Sequence, residues 1–538
     1  MGLTIRLDDR VTLDQVARAA LDRWPVDLDD RSWHRVAESR SLLDEFVADG
    51  RIIYGVTTGV GGFADRFVPA ADAQRLQENL IRAVATNVGA YLDADTTRAI
   101  MITRIVSLSL GNSAIRPENL RIYIAMLNAD VVPCIPEKGS LGTSGDLGPL
   151  AYIAMVGIGQ WKARYRGEIL DGGEALRRAG ITPARLGYKE GLAMINGTAG
   201  MVGIALLTYR SARRLVELYH VISALAIEGL AGIVDPFDPR VHAVKPHRGQ
   251  ARAAARIHRG LRDSGLARSE RDIEAILAAR RDGAAGGVEK MAIEDAYSIR
   301  CTPQILGPVL DSLDWIETTV ENELNSTSDN PIVLPDIREA FHNGHFHGQY
   351  IAMAMDHLGI ALTTVTNLAN RRVDRFLDQS NSNGLPPFLC REDPGLRLGL
   401  MGGQFMTASV TAETRTLTVP VSVQSLTTTA DFQDIVSFGF VAARRAREIL
   451  RNAAYVIAFE LLCACQAVDI RGADGLSSWT RPLYERVRTV VPYLDRDVTI
   501  TDHLEALAEF LLSEEAGDFA GLPSDDEEYR DDRAAEHV

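Results

Sequence analysis

Cysteine is scarce: Cys134, Cys301, Cys390, Cys463 and Cys465 are the only five in 538 residues. An odd count spread over so long a chain builds no disulfide framework, and a reducing cytoplasm fits it best. Basic charge is short as well. Lys and Arg number 57 against 72 Asp and Glu, a net charge of -15, so no broad positive field exists to draw in phosphate backbones or anionic lipid. This excludes nucleic acid and a membrane surface as expected partners. No apolar run reaches membrane-spanning length unbroken. In "AAYVIAFELLCACQAVDI" Glu460 and Asp469 interrupt it, and the segment reads as a buried helix. At the amino end, "MGLTIRLDDRVTLDQ" has no basic stretch followed by an apolar one, and Arg6 stands where a myristoylation signal needs Ser or Thr. Neither export nor lipidation is expected from it.

The common catalytic signatures are missing too. There is no GxxxxGK[ST], HExxH, paired CxxC or GxSxG. "VGIGQW" fails the dinucleotide fingerprint at its third glycine, and Cys463 and Cys465, two apart, point to different faces of a helix. "FHNGHFHGQ" offers His342, His345 and His347, but no neighbouring Cys or carboxylate completes a ligand set. A hydrogen-bonded loop is its default reading, and no metal is expected.

What is present is the composition of a folded protein, 46% hydrophobic and 24% charged. Up to about residue 210 the texture is mixed, with short helical patterns broken by glycine-rich turns such as "YGVTTGVGG" and "INGTAG". Beyond it, Leu215, Leu218, Ile222, Leu225 and Leu230 make an apolar stripe at helical spacing. Residues 353–379 repeat the habit with Leu358, Leu362, Val365, Leu368, Val373 and Phe376, and 433–470 form a third proline-free apolar stretch. Helices of about 25 to 35 residues imply an extended bundle, and apolar character on several sides implies partner subunits. The reading is mainly α: a smaller N-terminal domain over 1–210, a long-helix bundle over 211–512, and an acidic disordered tail over 513–538, where "SDDEEYRDDRAAEHV" has little to bury.

"GSLGTSGDLGPLAYIA" raises a sharper question, because glycine recurs at 139, 142, 145 and 148 around one Thr-Ser-Gly triplet, with Asp146 its only charge. Such clusters mark backbone that must bend tightly or approach another group closely. Elsewhere Tyr54 precedes a flexible loop, and Arg300 lies three residues after Tyr297, on one helix face. Singly, each reads as structure. Together "YGVTTG", "GTSGDL", "INGT", "AYSIR", "ELNSTSDNP", "NGHFHGQ" and "FQDIVSFG", in chain order, resemble the aromatic amino acid ammonia-lyase and aminomutase family over residues 10 to 500. The nearest resemblance is to bacterial phenylalanine aminomutases and ammonia-lyases of polyketide antibiotic pathways, several of which carry Thr-Ser-Gly where most relatives carry Ala-Ser-Gly.

The resemblance implies the elongated bundle of the fumarase and histidase superfamily, a cytoplasmic homotetramer and a prosthetic group made from the chain. In that family the amide nitrogen of the glycine, here Gly145, attacks the carbonyl of the first residue, here Thr143. Loss of two waters then turns Ser144 into the alkene of 4-methylidene-imidazol-5-one, so no external cofactor is needed. Tyr54 matches the family's catalytic tyrosine, and Arg300 its carboxylate clamp, with Asn196 and Tyr297 organising the site. Leu80, Val84, Phe346, Phe432 and Gln433 complete the expected substrate-binding set. Ala83 stands where tyrosine lyases place a histidine for the phenol, and Gln433 where histidine lyases carry glutamate, which favours phenylalanine. Glu294 and His345 depart from the family's common Gln and Asn. The expectation is a phenylalanine 2,3-aminomutase working through cinnamate. Its alternatives are a phenylalanine ammonia-lyase, a tyrosine-directed enzyme, and a structural relative that has lost activity.

Overall fold

The computed structural model describes residues 1–281 and 293–521. Among them are nineteen α-helices and nine strands of two to four residues, a mainly α fold as expected. They divide into two compact units. One comprises 1–210, 315–358 and 419–447, and the other 211–314, 359–418 and the chain from 448 onward. The first division thus follows Arg210, but the first unit takes back two later segments, which a simple split into 1–210 and 211–512 does not include.

The first unit is organised around helix Ala94–Ser109, whose residues Thr96 to Ser109 are all buried. No single stripe along it is apolar, because it is enclosed on every side. Its start is fixed by Asp93, whose carboxylate accepts the Thr96 N–H at 2.7 Å, a standard N-cap. Helix Leu13–Leu21 begins with a reciprocal pair, Gln15 N–H to the Thr12 hydroxyl and Thr12 N–H to the Gln15 side chain. Short strands connect the helices. Val88–Tyr91 runs antiparallel to Pro136–Lys138, and Ile332–Leu334 pairs antiparallel with Glu339–Phe341. The first of these pairs leads the chain into the glycine-rich turn at 139. The second presents the 342–348 loop.

In the second unit the stripe Leu215, Leu218, Ile222, Leu225 and Leu230 is completely buried, as its spacing predicts. The helices carrying the three apolar patterns are Ala199–Gly229, Gln349–Leu377 and Gly439–Arg471. The last starts later than residue 433 because 433 to 438 are held as a loop. It is long and apolar enough to cross a membrane by composition, but 83% of its most apolar window is buried inside the fold. The Glu460 carboxylate is satisfied there by Arg372 at 3.0 Å and by the Tyr219 hydroxyl at 2.7 Å. Of the acidic end expected over 513–538, Glu515–Phe519 forms a 3-10 turn with Ala516 buried, so the fold continues past 512. Residues 522–538 lie outside the described residues.

Candidate active site

The Thr143-Ser144-Gly145 triplet sits between strand Pro136–Lys138 and helix Leu147–Gly157, gripped from three other places in the first unit. Asn196 donates from Nδ2 to the Ser144 carbonyl at 3.0 Å, and the Asp146 N–H donates to the Gly197 carbonyl at 2.7 Å. Ser437 donates from its hydroxyl to the Gly142 carbonyl at 2.6 Å, and the Gly348 N–H reaches the same oxygen at 3.2 Å. Gln433 donates from Nε2 to the Ser144 hydroxyl at 2.9 Å.

Gly145 cannot be replaced in this turn. Its φ is +68°, and a Cβ built on it would lie 2.0 Å from the Gly197 carbonyl oxygen, far inside contact distance. Gly145 and Gly197 form an isolated parallel bridge. In a parallel bridge the two hydrogen bonds flank the central residue, so the Gly145 amide nitrogen is not used by it. A nitrogen left free by the pairing, on a residue with no side chain, in a tight turn, is what ring closure onto Thr143 requires. The triplet therefore fits the prosthetic group that its sequence implies.

Directly after the triplet, Asp146 is completely buried. It accepts from the Ser140 hydroxyl at 2.8 Å and the Met201 N–H at 2.6 Å. Burial raises its pKa to about 7, opposed by these bonds and the Gly200 N–H and assisted by nearby Glu323. Glu323, itself pushed up by burial, accepts from the Thr198 hydroxyl at 2.6 Å. Sequence reasoning noticed Asp146 as the only charge in the turn but gave it no part. One of its partners, Met201, is 55 residues away and has no signature in the local sequence.

Tyr54 lies on the loop after helix Asp30–Ala48. Its phenol oxygen accepts the Gly61 N–H at 2.7 Å, and its ring stacks on Phe432 with centroids 6.2 Å apart and planes within 7°. Burial raises the Tyr54 pKa, and the Gly61 bond opposes that by favouring the phenolate. The Tyr54 N–H donates to Nε2 of His342 at 3.1 Å. This contact gives one of the three loop histidines a partner the metal reading did not foresee.

These elements enclose a cavity of about 1100 Å³. Tyr54, Ser144, Asn196, Leu80, Val84, Phe346, Phe432 and Gln433 all line it, with Ala83 between the aliphatic residues and His342 at the tyrosine loop. Thr143 is buried and is not in the lining. The hydroxyl of Thr143 and Oδ1 of Asn196 are buried without a hydrogen-bond partner among the described residues. Tyr297 and Arg300 are not in this lining. They belong to the second unit, where the Arg300 guanidinium pairs with Glu294 at 2.9 Å, bonds the Asp295 carbonyl and lies 4.8 Å from the Tyr297 ring centroid.

Comparison with known proteins places this geometry. The aromatic amino acid lyase model matches residues 11–489. A histidine ammonia-lyase of Caldanaerobacter subterraneus subsp. tengcongensis is 39% identical over 505 residues, covering 94% of this chain and 96% of that one. A tyrosine ammonia-lyase of Cupriavidus metallidurans is 40% identical, covering 93% and 94%. Among solved structures, a phenylalanine aminomutase from Pantoea agglomerans superposes with a TM-score of 0.92 at 57% identity, over 96% of this chain and 100% of that one. The chain is an enzyme of the aromatic amino acid lyase family, the class of ammonia-lyases and aminomutases of small aromatic amino acids.

Proposed function

We propose that this enzyme is a phenylalanine 2,3-aminomutase that converts L-phenylalanine to β-phenylalanine through trans-cinnamate. The observation that carries the reading is one cavity onto which both the Tyr54 phenol and Ser144 open, walled by Leu80, Ala83, Val84, Phe346 and Phe432. A phenyl ring is at home against such walls. A phenol hydroxyl buried there without a partner costs about 1 to 3 kcal/mol. The 57% identical structure, described as a phenylalanine aminomutase, supports the same substrate.

An α-amino acid has a poor leaving group and a weakly acidic β-hydrogen, so elimination needs an electron sink and a base. The 4-methylidene-imidazol-5-one formed from Thr143, Ser144 and Gly145 supplies the electrophilic sink for the amine. Tyr54, as the phenolate that the Gly61 N–H stabilises, takes the β-proton and becomes the neutral phenol. Asn196 lines the cavity while its Nδ2 fixes residue 144. Gln433 holds the same residue from the other side. The family resemblance assigns the carboxylate clamp to Arg300, steadied by Tyr297, although neither lines this cavity in the chain described, and it assigns the enzyme to a homotetramer of the cytoplasm. Positioning by these groups provides much of the rate.

Incubation with L-phenylalanine, resolving cinnamate from β-phenylalanine by chromatography, tests the reading. Cinnamate as the sole product would make the enzyme an ammonia-lyase, the activity for which the 39% and 40% identical relatives are named. Ser144→Ala, which has no side-chain hydroxyl to eliminate and so cannot form the alkene, is expected to abolish turnover, whereas the wild type should weigh two waters less than its sequence in intact-protein mass spectrometry. A wild-type chain that keeps both waters would mark an inactive structural relative.

A further inference from the structure

We propose that the Thr143 hydroxyl is the hydrogen-bond donor for ring closure, supporting the oxygen of its own carbonyl while the Gly145 nitrogen attacks. This inference rests on the reading that Thr143, Ser144 and Gly145 become the prosthetic group.

The carbonyl oxygens on either side of the reacting one are held from outside. The Gly142 oxygen accepts from the Ser437 hydroxyl at 2.6 Å and from the Gly348 N–H at 3.2 Å, and the Ser144 oxygen accepts from Asn196 Nδ2 at 3.0 Å. Between them, the Thr143 oxygen receives no hydrogen bond among the described residues. The side chain of Thr143 is equally alone. The residue is 5% exposed, and its hydroxyl has no partner among the described residues. A buried hydroxyl left unpaired destabilises a fold, so one beside a reacting carbonyl points to a use in the reaction.

Attack by the Gly145 nitrogen makes a C–N bond and pushes the carbonyl electrons onto the Thr143 oxygen. Negative charge on an oxygen in a buried turn needs a donor, and the donors from Ser437, Gly348 and Asn196 are committed to its neighbours. A threonine hydroxyl can bond the backbone of its own residue, and its proton rotates to suit. The oxygen next takes the Gly145 proton. It leaves as water with the proton of the Ser144 nitrogen, as a C=N bond forms between that nitrogen and the Thr143 carbon. The second water carries off the Ser144 hydroxyl together with the α-hydrogen of Ser144. Throughout, the Thr143 hydroxyl gives a hydrogen bond and not a proton, so it is unchanged at the end. The turn alone permits closure, and the hydroxyl governs how fast the first water is lost.

Thr143→Val removes the hydroxyl and keeps the branched shape, whereas Thr143→Ser keeps the hydroxyl. Each full-length chain is made by cell-free translation, quenched in acid at intervals and weighed intact. Thr143→Val is expected to lose its first water about ten- to a hundredfold more slowly than wild type, the range for a hydrogen bond to a charged group, and Thr143→Ser to stay near wild type. Because the hydroxyl is unpaired in the folded chain, the denaturation midpoint of Thr143→Val should be no lower than that of wild type. Thr143→Ala, a second chain without the hydroxyl, should close as slowly, and it decides the matter if valine is not accommodated.

Equal rates of first-water loss in wild type and the hydroxyl-free chains overturn the proposal and leave the prosthetic group standing. Closure as slow in Thr143→Ser as in Thr143→Val overturns it too, since shape and not the hydroxyl would then matter. A lowered midpoint or failure to fold in both hydroxyl-free chains assigns the hydroxyl to folding and defeats it. If the wild type keeps both waters, the prosthetic-group reading itself fails, and this inference with it.

Discussion

Tyr54 is asked to be a base from an unfavourable start, since burial lifts its pKa above the ordinary phenol range. The active form is the phenolate, so kcat for L-phenylalanine is expected to climb through the alkaline range. A pH profile of Tyr54→Phe should lose that limb, with kcat reduced about 10²- to 10⁴-fold. Asp146 gives the opposite sign in stability. Its folded pKa of about 7 lies above the ordinary carboxyl value of 3.8, so between these values the folded chain binds the proton more tightly than the unfolded one. Stability from this group is therefore full below about pH 4, falls as pH rises, and is gone above about 7. Thermal unfolding of Asp146→Asn across that window should show a flatter dependence than wild type. A profile no flatter than wild type would mean that Asp146 ionises freely. The triplet and Tyr54 were legible in the sequence because both sit inside short motifs. The raised pKa of Asp146 was not, since it arises from burial and, to a lesser extent, from Glu323, far along the chain.

Long helices were legible where apolar residues kept their spacing, as at Leu215 to Leu230. Helix Thr302–Leu324 was not, and the reason is Pro308 inside it, a residue that ordinarily signals a break. The late start of Gly439–Arg471 was hidden for another reason. Apolar residues run on through Ile435 and Val436, but Ser437 and Phe438 turn back to bond Gly142 and Leu141. Within the second unit, Arg372 ties several helices through Glu460, Ser223 and Thr302, at 3.0, 2.8 and 2.6 Å. Removing one member of a buried pair strands the other's charge. Arg372→Met is thus expected to destabilise the protein by about 3 to 5 kcal/mol, read as a lower denaturation midpoint. Double replacement of Arg372 and Glu460 by apolar residues should recover much of the loss.

Substrate choice is a property of the assembled cavity, and Ala83 is where it can be moved. Ala83→His is expected to lower KM for tyrosine relative to phenylalanine by about tenfold, as a partner for the phenol is supplied. Unchanged relative KM values would place the ring elsewhere in the cavity. Light scattering on the purified chain should report four copies, as the family resemblance implies and as the multi-sided apolar helices support. The segmented make-up of the first unit has a consequence for synthesis. Residues 142 to 144 are held by Gly348, Gln433 and Ser437, all translated some two hundred to three hundred residues later. If the triplet cyclises as proposed and these contacts are what bend it toward ring closure, the nascent chain stays ordinary peptide until they are made, and fragments released early present no electrophile to cellular thiols.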